Sequence, residues 1–588
     1  MAGKPLVALI NVVMDGDYQY EEEIPIGLGC LAAFLRREGY DVRVHQCFAS
    51  QGEPAIAEAA LVEADVYGFQ LNMINYLSVQ DVASRLKARK PDSFHMLGGP
   101  FLSSMAEEIL ERESVFDCMV YGEGELTMLE MLQQFEKGSL DVSAIQGVVW
   151  RNAEGKAVRN PPRALIPQLD SLPFPARDFI AHMHRDELDN GILGSLRIVT
   201  SRGCTANCHF CSVNFYTKLQ KGKIWRGRSP QNVVDELEEL VKVQGGRIFN
   251  LSDSSFEDPA GRVGKRRTRE ICDELIRRDV KLSLKVYMRA DTMHAAEDEE
   301  LLRLWKRAGI DVVIVGIEAG SDHELEFYGK KANVAMNEAT LRRLKDMGLF
   351  YVIIGFMMFN PNSTMETLRT NIAFLRDMEL VDNPNQITNS LMLIRDSHLY
   401  HVLKEENRVI EPANPWETPT YLFRDIRAQR AARHWDGLFG RFPLTLELNG
   451  HQVNFENLIT RIQNPMNAPV AQAVARPFAE LKEQYLALKQ EFAKVQYDYF
   501  VRVLDLIEAD CSDEVLDAEA RNYFIGTYSH YSPRYQWLYE TCMREMASTG
   551  LPLSGLTFKN FYSYAVNKGL LRVGKVGAPA PAPDVVRL

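Results

Sequence analysis

Residues 201–216 read S-R-G-C-T-A-N-C-H-F-C-S-V-N-F-Y, and they place three cysteines within a single short segment. These are Cys204, Cys208 and Cys211, with the spacing C-x3-C-x2-C, directly after an apolar run that predicts a β-strand. Three thiolates can therefore converge from one loop at the end of a strand. Iron–sulfur clusters are usually held by four cysteines, so three leave one iron open to a substrate or cofactor. The segment predicts an iron–sulfur site of the catalytic kind.

A structural zinc site is the alternative for this cysteine cluster. Such a site needs a fourth cysteine or histidine at a compatible spacing. His209 lies inside the loop, where ligation would strain the backbone. The spacing therefore favours the iron–sulfur cluster. The least favoured interpretation is that the three cysteines bind no metal.

Size and composition exclude several classes of protein. A chain of 588 residues exceeds one hydrophobic core and predicts two to four domains. Nine cysteines are too few for a disulfide scaffold in a chain of this length. No apolar run is long enough to cross a bilayer, and residues 1–13 lack the features of a signal peptide. We therefore expect a cytoplasmic protein with no membrane partner.

The charge of the chain restricts its partners. The formal net charge is −12 and the pI is about 5.6. Binding to a nucleic-acid backbone normally requires a clustered basic surface, so we expect no nucleic-acid partner. The expected substrate is a small molecule, or a carrier-bound or peptide group.

The pattern of elements predicts an α/β protein with three parts. Residues 1–150 alternate short β-branched runs with helical patterns, which predicts a parallel, doubly wound Rossmann-like sheet. Residues 151–190 contain a Pro-rich stretch and read as a linker. Residues 191–400 form a second alternating series, in which six strand–helix units predict a partial (β/α)6 barrel of the TIM type. Residues 401–575 are mostly helical, and residues 576–588 are expected to be a disordered tail. The strands expected in the barrel are residues 196–200, 247–252, 282–288, 311–317, 350–357 and 386–393.

Polar residues follow several of the predicted barrel strands. Asp253 lies in S-D-S-S-F-E-D, Arg289 in M-R-A-D and Glu318 in G-I-E-A-G-S. Barrel active sites are assembled at the carboxyl ends of strands, so these residues are candidates for ligand binding. Each could instead cap a helix or form an ion pair at the barrel rim.

The first domain has its own candidate ligand site beyond its strand ends. Glycines in these turns would let a bulky ligand approach the backbone closely, although they could equally serve only as tight turns. The candidate residues are Gln70, Leu71, Asn72, Gly98, Gly99, Pro100, Gly122, Glu123 and Gly124.

The cysteine loop, with Phe210 before its last cysteine, resembles the signature of the radical SAM superfamily. That resemblance implies a [4Fe–4S] cluster on Cys204, Cys208 and Cys211, with S-adenosylmethionine (SAM) chelated by the open iron. Reductive cleavage of SAM to a 5′-deoxyadenosyl radical would follow, with an external electron donor such as flavodoxin or ferredoxin. It also implies that Asp253, Arg289 and Glu318 contact SAM.

A wider resemblance covers roughly residues 5–400. Four segments look like the cobalamin-binding class of radical SAM enzymes. In chain order they are P-I-G-L-G-C-L-A-A-F-L-R-R-E-G-Y-D-V, G-G-P-F-L-S, V-Y-G-E-G-E and L-D-S-L-P-F-P-A-R-D. The resemblance implies that the first domain holds cobalamin with the nine residues named above. The motif D-x-H-x-x-G, which supplies an axial histidine to cobalt in many cobalamin proteins, is missing, so a first domain that has lost the cofactor is an alternative.

The function that this resemblance implies is a cobalamin-dependent radical SAM methyltransferase. It would methylate an unactivated carbon of a specialised metabolite through a 5′-deoxyadenosyl radical and methylcobalamin. One alternative is a radical SAM cyclase or rearranging enzyme without methyl transfer. A second alternative is a non-catalytic sensor, but no output domain such as a basic helix pair is evident.

Overall fold

The structure is a computed structural model that describes residues 3–14, 25–72, 74–99, 103–178, 196–395, 397–414, 416–436, 441–442, 444–551, 553 and 556. Pro100 and the predicted tail at 576–588 lie outside the described residues, as does the end of the predicted linker.

The first domain is built on a seven-stranded sheet with the order β2-β1-β3-β4-β5-β6-β7. Its first five strands are parallel, and β6 and β7 add an antiparallel hairpin. The central strand β1, V-A-L-I-N-V-V, is buried along its whole length because helices cover both faces of the sheet. The elements are β1 (Val7–Val13), α1 (Ile26–Arg37), β2 (Val42–Phe48), α2 (Glu53–Ala59), β3 (Val66–Gln70), α3 (Tyr76–Arg89), β4 (Phe94–Gly98), α4 (Ala106–Arg112), β5 (Cys118–Val120), α5 (Glu125–Glu136), β6 (Val148–Arg151) and β7 (Ala157–Arg159).

This strand order fixes where a ligand can lie. The chain reverses direction across the sheet between β1 and β3, and a doubly wound sheet binds ligands in the crevice at that point. The sequence predicts the doubly wound sheet correctly but misses the terminal hairpin, so the sheet continues past residue 150 to Arg159.

The second domain is a five-stranded parallel sheet with the order β14-β13-β12-β11-β8. Helices cover its outer face, and the cysteine loop follows β8. A two-stranded ladder, β9 with β10, flanks that loop. The elements are β8 (Leu196–Ile198), β9 (Ser201–Arg202), α6 (Val213–Lys218), β10 (Arg226–Gly227), α7 (Pro230–Lys242), β11 (Ile248–Leu251), α8 (Arg262–Arg277), β12 (Ser283–Arg289), α9 (Asp298–Arg307), β13 (Ile310–Glu318), α10 (Asp322–Phe327), α11 (Val334–Met347), β14 (Tyr351–Phe356) and α12 (Met365–Asp377).

The sixth barrel strand, predicted at residues 386–393, is not formed as a strand. Residues Pro384–Thr388 make a short helix, α13, and the chain then meets the segment after β14 through a single bridge between Phe359 and Ser390. Only two backbone hydrogen bonds connect the described segments here: the Phe359 N–H donates to the Asn389 carbonyl oxygen, and the Leu391 N–H donates to the Phe359 carbonyl oxygen. The apolar residues at 391–393 resemble a strand in sequence. In the structure they pack beneath the helix His398–Glu405 and do not pair in a sheet.

The third part is helical, as the sequence predicts, apart from a small hairpin of β15 (Val409–Ile410) and β16 (Thr420–Tyr421). Its helices are α14 (His398–Glu405), α15 (Ile426–Trp435), α16 (Leu444–Arg461), α17 (Ala468–Ala473), α18 (Ala475–Glu508) and α19 (Asp513–Ser548). Helix α16 packs against β13 and β14, and so attaches this part to the barrel. The aromatic residues of α19 pack between these helices: Phe524, Tyr528 and Tyr535 are buried.

Candidate active site

The cysteine loop is attached to the barrel by Asp253, which follows β11. The Asp253 carboxylate accepts hydrogen bonds from the backbone N–H of Thr200 (2.7 Å) and of Ser201 (3.0 Å), and also from the Thr200 hydroxyl. The side chain is buried, and burial raises its pKa although Arg267 acts in the opposite direction. In the structure Asp253 therefore holds the first residues of the loop. Its predicted contact with SAM stays a prediction.

The three cysteines of the loop are all partly buried. Burial raises the pKa of Cys204 to about 12, and the Asp258 carboxylate adds to this rise. Burial also raises the pKa values of Cys208 and Cys211, on which the same charged pair, Glu318 and Lys330, acts. The raised pKa values favour neutral thiols in the loop without metal. Thiols must lose their protons to bind metal, so cluster binding would release protons and leave thiolates as the ligands.

The zinc alternative finds no support in the described part of the chain. No three His, Cys, Asp or Glu side chains there are placed to hold one metal ion. A cluster needs no such convergence, because each of its cysteines binds a different iron. His209 is used elsewhere: its Nδ1 lies 2.9 Å from the Phe327 carbonyl oxygen, and its ring packs edge-on against His398.

Arg289 lies at the end of β12 beside the cysteine loop. Its guanidinium pairs with Asp291 at 2.5 Å and with Asp258 at 3.3 Å, and Asp258 in turn accepts a hydrogen bond from the Thr205 hydroxyl at 2.6 Å. These charges surround the loop residue that follows Cys204. Arg289 thus contacts the cysteine loop through Asp258, a residue that the sequence did not indicate as a candidate. Its predicted contact with SAM stays a prediction.

Glu318 ends β13 with a left-handed backbone conformation, φ 68°. A register shift between Gly316 and Glu318 accompanies this turn. The carboxylate pairs at 3.2 Å with Lys330, which also donates to the Gly316 carbonyl oxygen. Burial acts to lower the pKa of Lys330, but Glu318 raises it above its ordinary value.

Lys330, like Asp258, is a charged residue of this site that the sequence did not indicate as a candidate. It lies in the loop after α10, away from any strand end, where polar residues following the barrel strands do not point to it. Gly316 and Gly355 lie near the carboxyl ends of β13 and β14, but as glycines they offer no side chain that marks them as candidates. A Cβ at either would come within 3.3 Å of the Glu318 carboxylate, so the glycines leave room for that side chain.

A cavity of about 500 Å³ lies between the first domain and the barrel. On the side of the first domain, the cavity lies where the chain reverses direction between β1 and β3. Leu9 of β1 and the ends of β3 and β4 line it there. From the barrel it is lined by Arg197 and by α6, which begins two residues after Cys211. The cavity therefore adjoins the cysteine loop.

The residues predicted to bind cobalamin divide into two groups. Leu71 and Asn72 do not line the cavity; Leu71 is buried, and the Asn72 side chain accepts hydrogen bonds from the backbone of residues 74 and 75. Those that do line it are Gln70, Gly98, Gly99, Gly122, Glu123 and Gly124.

The open backbone that a bulky ligand needs is present at two glycines of this cavity. A Cβ on Gly98 would meet nothing closer than the Val120 carbonyl oxygen at 3.9 Å, and a Cβ on Gly27 would meet nothing within 4 Å. The cavity lining that the structure describes includes no histidine. The open backbone at these glycines therefore fits a bulky ligand such as a macrocycle.

Gly122 and Glu123 serve a second purpose, which is to join the two domains. A Cβ on Gly122 would clash with Gln220 of the second domain, whose amide oxygen accepts from the Glu123 N–H at 3.0 Å. The Glu123 carboxylate pairs with Arg226 at 2.8 Å and with Arg202 at 3.1 Å. Arg202 is two residues before Cys204, so this contact ties the first domain to the cysteine loop.

The comparisons with known families agree with this arrangement. Residues 18–132 match the B12 binding domain, and residues 198–375 match the Radical SAM superfamily. The chain combines a B12-binding domain with a radical SAM domain. The two matched segments contain most of the residues that line the interdomain cavity. The radical SAM match begins at the last residue of β8, directly before the cysteine loop.

Several proteins are similar to this chain in sequence. An uncharacterised methyltransferase of Pyrococcus horikoshii is 29% identical over 60% of this chain and 74% of its own length. The hopanoid C-3 methylase of Methylococcus capsulatus is 28% identical over 56% of this chain and 60% of its own length. The anaerobic magnesium-protoporphyrin IX monomethyl ester cyclase of Rubrivivax gelatinosus is 27% identical over 60% of this chain and 62% of its own length.

A solved structure shows the same fold over nearly the whole chain. The cobalamin-dependent SAM radical enzyme OxsB, with aqua-cobalamin bound, matches 97% of this chain and 82% of its own with a TM-score of 0.65 and 17% identity. The B12 binding domain and the radical SAM domain in this chain give its cofactors as a [4Fe–4S] cluster, SAM and cobalamin. Of the helices that the structure describes, none is long and apolar enough to cross a membrane.

Proposed function

We propose that this protein is a methyltransferase that acts on an unactivated carbon of a specialised metabolite. The observation that carries the proposal is the shared interdomain cavity, which the cobalamin half and the cysteine-loop half line together. Bound together, the three cofactors supply hydrogen abstraction by a SAM-derived radical and methyl transfer from cobalamin. Two relatives are named as methylating enzymes.

The protein's own residues would have four tasks in such a reaction. Cys204, Cys208 and Cys211 would hold the cluster. Asp253, Arg289 and Glu318, all three chosen from the family resemblance, would contact SAM. Gln70, Gly98, Gly99, Gly122, Glu123 and Gly124 would lie along cobalamin. The Glu123 pairs with Arg202 and Arg226 would keep the two sites together and exclude water from the space between them.

The electron needed for SAM cleavage would come from an external donor, for which we propose flavodoxin or ferredoxin. The substrate would be a small molecule or a carrier-bound or peptide group.

The test is an anaerobic reaction of the reconstituted protein with SAM carrying a deuterated methyl group, a reductant and candidate substrates. A methyltransferase forms S-adenosylhomocysteine and 5′-deoxyadenosine together, and the label appears in the product. Cys208→Ala should lose the cluster and 5′-deoxyadenosine formation. Cys511→Ala, which alters a cysteine outside the loop, should keep both.

A second candidate is a cyclase or rearranging enzyme, because the relative from Rubrivivax gelatinosus is named as a cyclase. Such an enzyme would form 5′-deoxyadenosine without S-adenosylhomocysteine and leave the product unlabelled. That result, with the cluster and cobalamin both bound, would contradict the methyltransferase proposal.

A further inference from the structure

Three lysines lie close together on the surface beside the cysteine loop. Lys218 ends α6, and Lys221 and Lys223 follow it in the turn before β10. All three residues are exposed. The Lys218 ammonium donates a hydrogen bond of 3.0 Å to the side-chain oxygen of Asn207, an exposed residue directly before Cys208. The three residues therefore form a lysine surface that adjoins the cysteine loop on its solvent side.

The turn that carries these lysines is held against the connection between the first domain and the barrel. The Leu165 N–H donates to the Lys221 carbonyl oxygen at 2.8 Å. Gly222 packs on the same residue, since a Cβ there would lie 3.2 Å from the Leu165 Cβ. The Lys223 ammonium lies 5.7 Å from the centre of the Trp225 ring. The folded chain thus presents the lysine surface in a defined position.

The lysine surface carries positive charge that no nearby acid balances. Among the residues that the structure describes, no carboxylate pairs with any of its three ammonium groups. A comparable group of cations at the end of α3 differs in this respect, because Arg85, Lys87 and Lys90 each pair with a carboxylate. The whole chain has a net charge of −12, so this surface has the opposite sign to the molecule. It is suited to attract an anionic partner.

The position of the surface indicates which anionic partner it serves. The proposed reaction needs an electron for SAM cleavage, and that electron has to reach the cluster from outside the chain. A carrier protein must bring its redox centre close to the cysteine loop. The interdomain cavity, at about 500 Å³, is far too small to admit a protein. The carrier must therefore approach over the solvent side of the loop, where Asn207 and Lys218 are exposed.

We propose that the lysine surface is the docking site of an acidic one-electron carrier protein. The proposal rests on the proposed function, which requires an external electron donor. One electron leaves the reduced carrier and enters the cluster, and no bond forms or breaks in that step. Residues 218–223 span at most roughly 18 Å when extended. Even a small redox interface of about 600 Å² per partner is roughly 28 Å across. A single carrier can thus cover the three lysines together.

The test measures how fast reduced flavodoxin, an acidic carrier, passes an electron to the cluster of the reconstituted full chain. Its oxidation is followed through the flavin absorbance under anaerobic conditions. Lys218→Glu/Lys221→Glu/Lys223→Glu should lower the second-order rate constant at least tenfold at low salt, because charge steering changes association rates by about 10 to 1,000-fold. The wild-type rate should fall from about 10 mM to 150 mM salt, since the screening length shortens from roughly 30 to 8 Å.

The matched control is Lys137→Glu/Lys156→Glu/Lys494→Glu. It changes the net charge equally at three exposed positions on other elements, and should accept electrons at nearly the wild-type rate. Lys221→Glu/Lys223→Glu keeps the contact of Lys218 with Asn207 and should still slow the reaction with flavodoxin. All variants should bind the same iron and be reduced by dithionite to the same extent, because this small reductant needs no docking surface.

The proposal is overturned if the triple variant of the lysine surface accepts electrons from flavodoxin at the wild-type rate. It is also overturned if flavodoxin fails to reduce a wild-type cluster that dithionite reduces. Cluster reduction requires no substrate. An absence of methyl transfer would therefore contradict the proposed function while leaving the dependence on the lysine surface measurable.

Discussion

At the scale of single residues, Gly329 decides how close the cysteine loop comes to the barrel. Its φ of +65° is left-handed, and a Cβ there would lie 2.5 Å from the ring of His209, the residue after Cys208. Any larger residue at position 329 would therefore strain the backbone and also displace the cysteine loop.

We expect Gly329→Ala to lower stability and also to reduce the iron and sulfide bound after reconstitution. Gly348→Ala is the matched control, because its φ of +58° carries the same backbone strain of about 1–2 kcal/mol but its Cβ would meet nothing closer than 3.8 Å. Iron analysis and thermal unfolding of both variants test this. Equal iron content in the two would mean that His209 does not transmit the change to the cluster.

At the scale of elements, Asp253 joins the end of β11 to the start of the cysteine loop through three accepted hydrogen bonds. In Asp253→Asn one of the acceptor oxygens becomes an NH2 group facing N–H or O–H donors. We expect a loss of about 1–3 kcal/mol in the free energy of unfolding, already present without SAM, together with weaker cluster retention.

This experiment separates two roles for Asp253. If the residue chiefly holds the loop, the apo protein is destabilised. If it chiefly contacts SAM, as the family resemblance implies, apo stability and iron content stay near wild type and only the affinity for SAM falls. Thr200→Val, which removes one donor of the same set and no ligand contact, should resemble the first outcome in a milder form.

At the scale of the whole molecule, the contact of Glu123 with Arg202 and Arg226 couples the cobalamin half to the cluster half. Both Glu123 and Arg226 are largely buried, with side chains 12% and 3% exposed. Burial acts to raise the pKa of Glu123, but Arg202 and Arg226 hold it below its ordinary value. The carboxylate is therefore ionised in the folded chain.

We expect Glu123→Gln to destabilise the interface by about 3 kcal/mol, because it leaves Arg226 buried beside a neutral group. Faster proteolysis at residues 161–178 and weaker cobalamin binding are the readouts. Glu107→Gln is the control, since it alters a more exposed pair with Arg159 inside the first domain. Unchanged proteolysis of Glu123→Gln would show that the interface is held by packing alone.

The sequence alone determined the class of chemistry and the order of the domains. Cysteine spacing is a local property, and the alternation of strands and helices follows from short-range hydrophobic periodicity, so both can be read along the chain. Even so, the strand predicted at 386–393 shows the limit of periodicity, because a strand forms only where a neighbouring strand is free to pair with it.

Only the tertiary structure decided which distant residues meet. Lys330 reaches Glu318, Gln220 fills the space over Gly122, and Lys285 of β12 shares a cavity with Arg461 of α16. None of these pairs has a sequence spacing that signals contact. They are set by the strand order, the β13 register shift and the packing of α16 under the barrel, which depend on interactions across the whole chain.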